Sequence, residues 1–317
     1  MIGQVLIAVA AGCASAAMFA SIVSVELISL VLLYLSPLPL MVAALSWGPF
    51  AAAIGGALAA IGLGAIFGLG DVIAFTIAVA LPSCWLGHLC LLGRPVTADE
   101  GAPPVLEWYP VGRVLLWITC FAAVTTGAAL LSLGSNAAEI TATLRNFLLR
   151  VFSIDGADAS GDADRWIDAI VSFAPSAAAI VATVVLTLNL WLAAKVTATS
   201  GRLSRPWPDL KMAALPPMTL VALCVAAAFC FSGGLLAMLA RIAAAALVMA
   251  YALTGFAVLH TLTLALKSRA FWLGSTYAFV VVFQWPMLAL AALGLADAVF
   301  GLRRRYLRSR PPPLPIA

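Results

Sequence analysis

Asn189, Arg241, His260 and Gln284 stand inside long apolar runs of this chain. In an apolar surrounding each is costly unless it is paired or wetted, so each is a candidate for holding something polar. An amide, a guanidinium, an imidazole and a second amide could together line a cavity for a small molecule. Arg241 is the most informative, because it cannot shed its proton and must find a side-chain acceptor, a lipid phosphate or a substrate anion. The competing reading is snorkelling from a helix end, with the guanidinium among headgroups. His260 lies shortly before Lys267, which suits an interfacial histidine as well as a proton relay. Glu26, Asp71 and Asp297 stand at segment ends, where a carboxylate caps a helix or meets water.

Other chemistries have weaker footing. The chain contains no Walker loop, GxSxG elbow, HExxH or dinucleotide fingerprint. No acid–base pair clusters within one motif, so the expectation is a protein that is not an enzyme. Cys84-x3-His88-x-Cys90 places Cys84 and His88 on one helical face, but Cys90 points elsewhere and a fourth ligand is missing. The aspartates Asp155, Asp158, Asp162, Asp164 and Asp168 miss the EF-hand spacing and read as a solvated loop. Neither a metal nor another cofactor is expected. The six cysteines all lie in apolar stretches and behave there as small hydrophobic residues.

The elements that must position these groups follow from composition. Of 317 residues, 64% are hydrophobic and 9% charged, against about 25% charged in soluble domains. So few charges cannot cover a water-soluble globule of this size, which excludes a soluble enzyme and a disordered chain alike. The expected fold is an all-α, polytopic transmembrane helical bundle, with residues 1–300 as one domain and 301–317 as a basic, Pro-rich tail. Runs of about 20 apolar residues mark eight or nine crossings, at about 5–23, 25–47, 48–68, 71–92, 113–133, 174–194, 213–232, 235–266 and 271–295. Ser36-Pro37-Leu38-Pro39 is expected to break the second stretch into a pair of short or re-entrant helices. Pro82 and Pro286 are expected to kink their helices, the latter aiming Gln284 and Trp285 inward. The stretch 235–266 is long enough to be bent or split. The net charge of +4 comes mainly from Arg303, Arg304, Arg305, Arg308 and Arg310, a cluster that anchors a helix to anionic lipid and implies no nucleic acid. The first apolar stretch lacks a positive n-region and is expected to remain in the mature protein.

Between the fifth and sixth spans, residues 134–171 form the one sizeable polar insertion. Asn136 with Glu139 has the spacing of a capping box. Ile140, Leu144, Phe147, Leu148 and Val151 then share one face, opposite Arg145, Asn146 and Arg150. That pattern suits a helix in the headgroup plane, and equally one packed over the bundle's own surface.

Small residues recur at every fourth position on two helices. Gly48, Ala52, Gly56, Ala60, Gly64 and Gly68 mark one, and Ala8, Gly12, Ala16 and Ala20 the other. Such faces let helix backbones approach closely in lipid. They serve packing within the chain, or they dock a partner subunit or a second copy.

With these residues laid out, the chain resembles the YybS-like membrane proteins, a family of unknown function. The resemblance rests on Ser36-Pro37-Leu38-Pro39-Leu40 followed by Trp47-Gly48, on Asn189 with the basic stretch 195–205 leading to Leu215-Pro216, and on Gly294-Leu295-Ala296-Asp297 through Phe300 to Arg303-Arg304. The acidic insertion has no counterpart in it. That family is in turn distantly similar to the substrate-binding subunits of energy-coupling-factor transporters. The likeness implies a bacterial inner-membrane subunit that binds a small molecule and works with separate energising subunits. It also implies a docking face at Ala8, Gly12, Ala16 and Ala20, and a gate at the Pro-Leu-Pro segment. A membrane scaffold or assembly factor without ligand is the rival expectation. The first predicts a polar cavity lined by some of Asn189, Arg241, His260 and Gln284. The second predicts that these residues face headgroups or pair with one another.

Overall fold

Uncharged apolar runs have no polar group but their own backbone, and a helix satisfies that backbone internally. The computed structural model describes residues 2–24, 26–96, 105–152, 161–209 and 213–308, and nearly all of them are helical. α1 (Ile2–Ala20) leads into α2 (Leu27–Leu35), α3 (Pro37–Trp47) and α4 (Pro49–Phe67). α5 (Leu69–Phe75) and α6 (Leu81–Leu91) join through a π turn at Thr76–Ala80. A short antiparallel ribbon, β1 (Gly93–Val96) and β2 (Val105–Trp108), precedes α7 (Val111–Leu131). α8 (Ala137–Val151), α9 (Gly161–Thr199), α10 (Met218–Phe229) and α11 (Gly234–Leu262) follow, and α12 (Arg269–Phe283), α13 (Pro286–Phe300) and α14 (Leu302–Arg308) close the chain.

Among the described residues, seven helical stretches are long and apolar enough to cross a bilayer, and α13 with α14, bent by 67°, makes an eighth. Large apolar side chains such as Phe50, Ile61 and Ile66 point outward along them, as expected where lipid is the solvent. The chain is a multi-pass membrane protein built as an all-α bundle.

The fold redraws several expected segments. Leu27–Trp47 is broken at Ser36 into two short helices, as expected, but the pair counts as one span of 21 residues and is not re-entrant. Ser36 is itself helical (φ −57°, ψ −28°), and Pro37 sits at the first position of α3, where no N–H is needed. The span expected at 213–232 is helical only over Met218–Phe229, because Pro216 and Pro217 delay its start. The span expected at 271–295 breaks at Gln284, whose φ of 57° is left-handed. Gln284 and Trp285 are therefore exposed at the break and do not aim inward. Residues 235–262 fall within one continuous helix, α11, which does not split, and a 3-10 turn at Thr263–Ala265 follows it. Pro82 cannot donate to the carbonyl four residues earlier, and the π turn directly before it absorbs that loss.

The small-residue stripes pack inside the chain. Gly48 (φ 96°) and Gly68 (φ 101°) adopt backbone conformations that suit glycine and turn the chain at each end of α4. Along α4 the predicted stripe faces the following span: a Cβ on Gly56 would stand 3.0 Å from the Ala80 Cβ. The neighbouring column, with Gly55, meets Ala8 and Gly12 of α1. Ala8, Gly12, Ala52, Gly56 and Ala60 are buried, and Ala16, Ala20 and Gly64 are half-buried. The docking face implied by the family likeness is thus covered by α4.

Of the two readings of the insertion, packing over the bundle's own surface is seen at the start of α8. Asn136 Oδ1 accepts from the Glu139 amide (2.9 Å), and Glu139 Oε2 accepts from the Ser135 amide (2.8 Å) and hydroxyl (3.0 Å). These bonds hold the Glu139 carboxyl below the usual carboxylate range. Ile140 is fully buried against Leu130, Ala179 and Ile242, while Phe147 and Val151 stay exposed. Helix α9 already begins at Gly161, so Asp164 and Asp168 belong to it and not to a solvated loop. Both bind Arg145 of α8, Asp164 at 2.6 Å. Asp155, Asp158 and Arg310 lie outside the described residues.

Candidate functional site

A cavity of about 720 Å³ lies at one end of the bundle. It is enclosed by the C-terminal ends of α3, α6, α9 and α11, the start of α7, the loop after α9, and α12. Leu115, Ile118, Leu190, Leu253 and Phe256 supply an apolar wall. The polar groups that reach it are Thr187, Arg205, Asp209, Thr254, His260 and Tyr277. This division suits a ligand with an apolar body and one polar end.

Arg205 is held by the chain itself. Its Nη2 donates to the Tyr109 carbonyl at 3.0 Å and its Nη1 to the Cys90 carbonyl at 3.4 Å. Its guanidinium also lies 6.0 Å from the Trp108 ring. Burial lowers its pKa from the ordinary arginine value, yet arginine stays a cation in proteins. On the opposite wall His260 Nε2 meets the Tyr277 hydroxyl at 2.8 Å, and Phe256 stacks on the Tyr277 ring at 4.9 Å. Tyr277 is the side chain through which α12 joins the cavity wall.

Indoles and cations ring the same end. Lys195 lies 4.5 Å from the Trp207 ring and Arg202 4.8 Å from that of Trp47. Such pairs belong where a membrane meets water: the ring faces are apolar and the cations remain hydrated at their rims. Trp207 of this set also lines the cavity.

Of the polar residues singled out in the sequence, only His260 lines this cavity. Asn189 is buried elsewhere. Its Nδ2 donates to the carbonyls of Tyr34 and Val185, both at 2.8 Å, which ties α9 to the end of α2. Arg241 is exposed near the start of α11, at the opposite end of the bundle, and Gln284 is exposed at the break before α13. The four are not one constellation. Sequence reasoning missed Arg205, Asp209 and Tyr277. A signal for the first two was present in Arg205-Pro206-Trp207-Pro208-Asp209, where charge, indole and proline crowd a short loop.

Among the described residues, no group of three or more His, Cys, Asp and Glu side chains is placed to hold a metal ion. Cys84 donates to the Pro49 carbonyl at 3.1 Å, as a hydroxyl would. Asp297 does not merely end a helix. It is buried and binds Arg303 through Nε (2.8 Å) and Nη2 (2.7 Å), while Arg303 Nη1 reaches the Ala213 carbonyl (2.9 Å). No protein-family model, curated protein or solved structure matches the chain.

Proposed function

We propose that this protein is a non-enzymatic membrane subunit that binds a small, largely apolar molecule with one polar end. In this reading it serves uptake or export of that molecule together with separate energising subunits, as the likeness to substrate-binding subunits of energy-coupling-factor transporters implies. The supporting observation is the cavity of about 720 Å³, with an apolar wall and Arg205, Asp209, His260 and Tyr277 converging on it. A scaffold needs no such chamber. The scaffold reading draws support from Asn189, Arg241 and Gln284, which lie outside the cavity wall.

Native mass spectrometry of the detergent-solubilised protein tests the choice. A retained small-molecule mass that disappears in Ala257→Trp, which fills the cavity from α11, supports binding. Recovery of the protein without any such mass, from membranes and after incubation with extracts of its host, supports the scaffold.

A further inference from the structure

A second cavity, of about 430 Å³, lies at the opposite end of the bundle between α8, the early part of α9 and the start of α11. Its wall carries charges of both signs from different helices, Asp168 from α9 and Arg241 from α11, together with the hydroxyl-bearing residues Thr141, Ser172 and Ser176. On the α8–α9 side one guanidinium, Arg145, answers two carboxylates, Asp164 and Asp168, which leaves one negative charge over. On the α11 side Arg241 makes no ion pair with a described residue. Backbone groups extend the same polarity. α11 begins at Gly234 without a side-chain cap, so its first N–H groups add positive character beside Arg241. Within α9, Pro175 has no N–H to give the Val171 carbonyl, and both residues line the cavity on the Asp168 side.

A purely anionic ligand would face the excess carboxylate, and a purely cationic one would face Arg241. We propose that this cavity receives a compact zwitterion, a primary ammonium close to a phosphate ester. The phosphate lies against Arg241 and the start of α11, and the ammonium against Asp168 and the Val171 carbonyl. The cavity sits where the spans of α9 and α11 begin, the depth of lipid headgroups, and the same chemistry is carried by a phosphatidylethanolamine headgroup or by soluble phosphoethanolamine.

Native mass spectrometry of the full chain in detergent, with phosphatidylethanolamine, phosphatidylcholine or phosphatidylglycerol added singly, tests this. Phosphatidylethanolamine should be retained about tenfold more than the other two, since trimethylammonium cannot donate hydrogen bonds and glycerol carries no charge. Arg241→Gln and Asp168→Asn should each weaken that retention about tenfold. Ser172→Trp, which fills the cavity and leaves Arg145, Asp168 and Arg241 unsubstituted, should do the same even if Asp168→Asn loosens α8. Displacement of the lipid by soluble phosphoethanolamine identifies the soluble source, and failure to displace it identifies the lipid. Retention of phosphatidylglycerol equal to that of phosphatidylethanolamine, or retention unchanged in Arg241→Gln and Ser172→Trp, overturns the assignment.

Discussion

Gly12 of α1 and Gly55 of α4 face each other with no room for a side chain on either. A Cβ on Gly12 would run into the Gly55 carbonyl, and one on Gly55 would run into the Ala8 carbonyl. Backbone cannot rotate aside as a side-chain tip can, so relief requires the helices to separate. Gly12→Leu is therefore expected to destabilise the protein by about 1–3 kcal/mol, read as a lower unfolding midpoint in detergent. Gly62 on the same helix has open space around its Cβ position. Gly62→Leu should leave the midpoint unchanged or raise it, and equal loss in both variants would remove the close approach as the cause.

The Asp297–Arg303 pair should show the asymmetry of buried charge. Both side chains are 9% exposed. Asp297→Ala takes the carboxylate away from a buried guanidinium and is expected to cost about 3–5 kcal/mol. Replacing both residues by leucine should restore most of that loss, because the desolvation of both ions disappears together. A double variant as unstable as the single one would show that the bend between α13 and α14 needs the charges themselves.

Asn189 makes a smaller contribution. Hydrogen bonds between membrane helices are worth roughly 0.6 kcal/mol on average, with a maximum near 1.7. Asn189→Leu should therefore lower the unfolding midpoint modestly and speed amide exchange around Tyr34 and Ser36, the joint that its Nδ2 holds. Exchange unchanged there would mean that the prolines alone fix the joint.

Acid should loosen α8 first. The folded pKa of Glu139 is depressed by its bonds to Ser135. The stability it adds is present above the ordinary carboxylate range and is lost as pH falls through the depressed folded value. Amide protection at the start of α8, corrected for intrinsic exchange, should fall over that acid window. Glu139→Gln should flatten the dependence, and an identical profile in the variant would assign it to another group.

What the sequence made legible was whatever depends on near neighbours along the chain. The apolar runs, the Asn136–Glu139 cap and the small faces of α1 and α4 all depend on spacing within one helix, and all appear in the fold. The π turn before Pro82 and the tight joint at Ser36 needed only local backbone chemistry, yet whether a proline breaks a span or merely starts its second half depends on what packs beside it. The cavity was illegible for a different reason. Its wall takes Leu45, Cys90, Leu115, Thr187, Arg205, Ala257 and Tyr277 from separate elements, and no periodicity in one helix reports such a meeting. Gln284 misled because a polar residue in an apolar run signals a buried site or an interruption, and here a left-handed residue interrupts.

The 39-residue α9 walls both chambers, touching the smaller at Ser172 and the larger at Leu190. At a helical rise of 1.5 Å per residue, these positions stand about 27 Å apart along the helix, with Pro175 between them. α11 repeats the arrangement with Arg241 and His260. α9 and α11 are thus walls common to both cavities. Were both cavities occupied, any coupling between them would run through these two helices and would be reciprocal. A side chain changed on either helix at one end therefore has to be read at both cavities, not only at the one it lines.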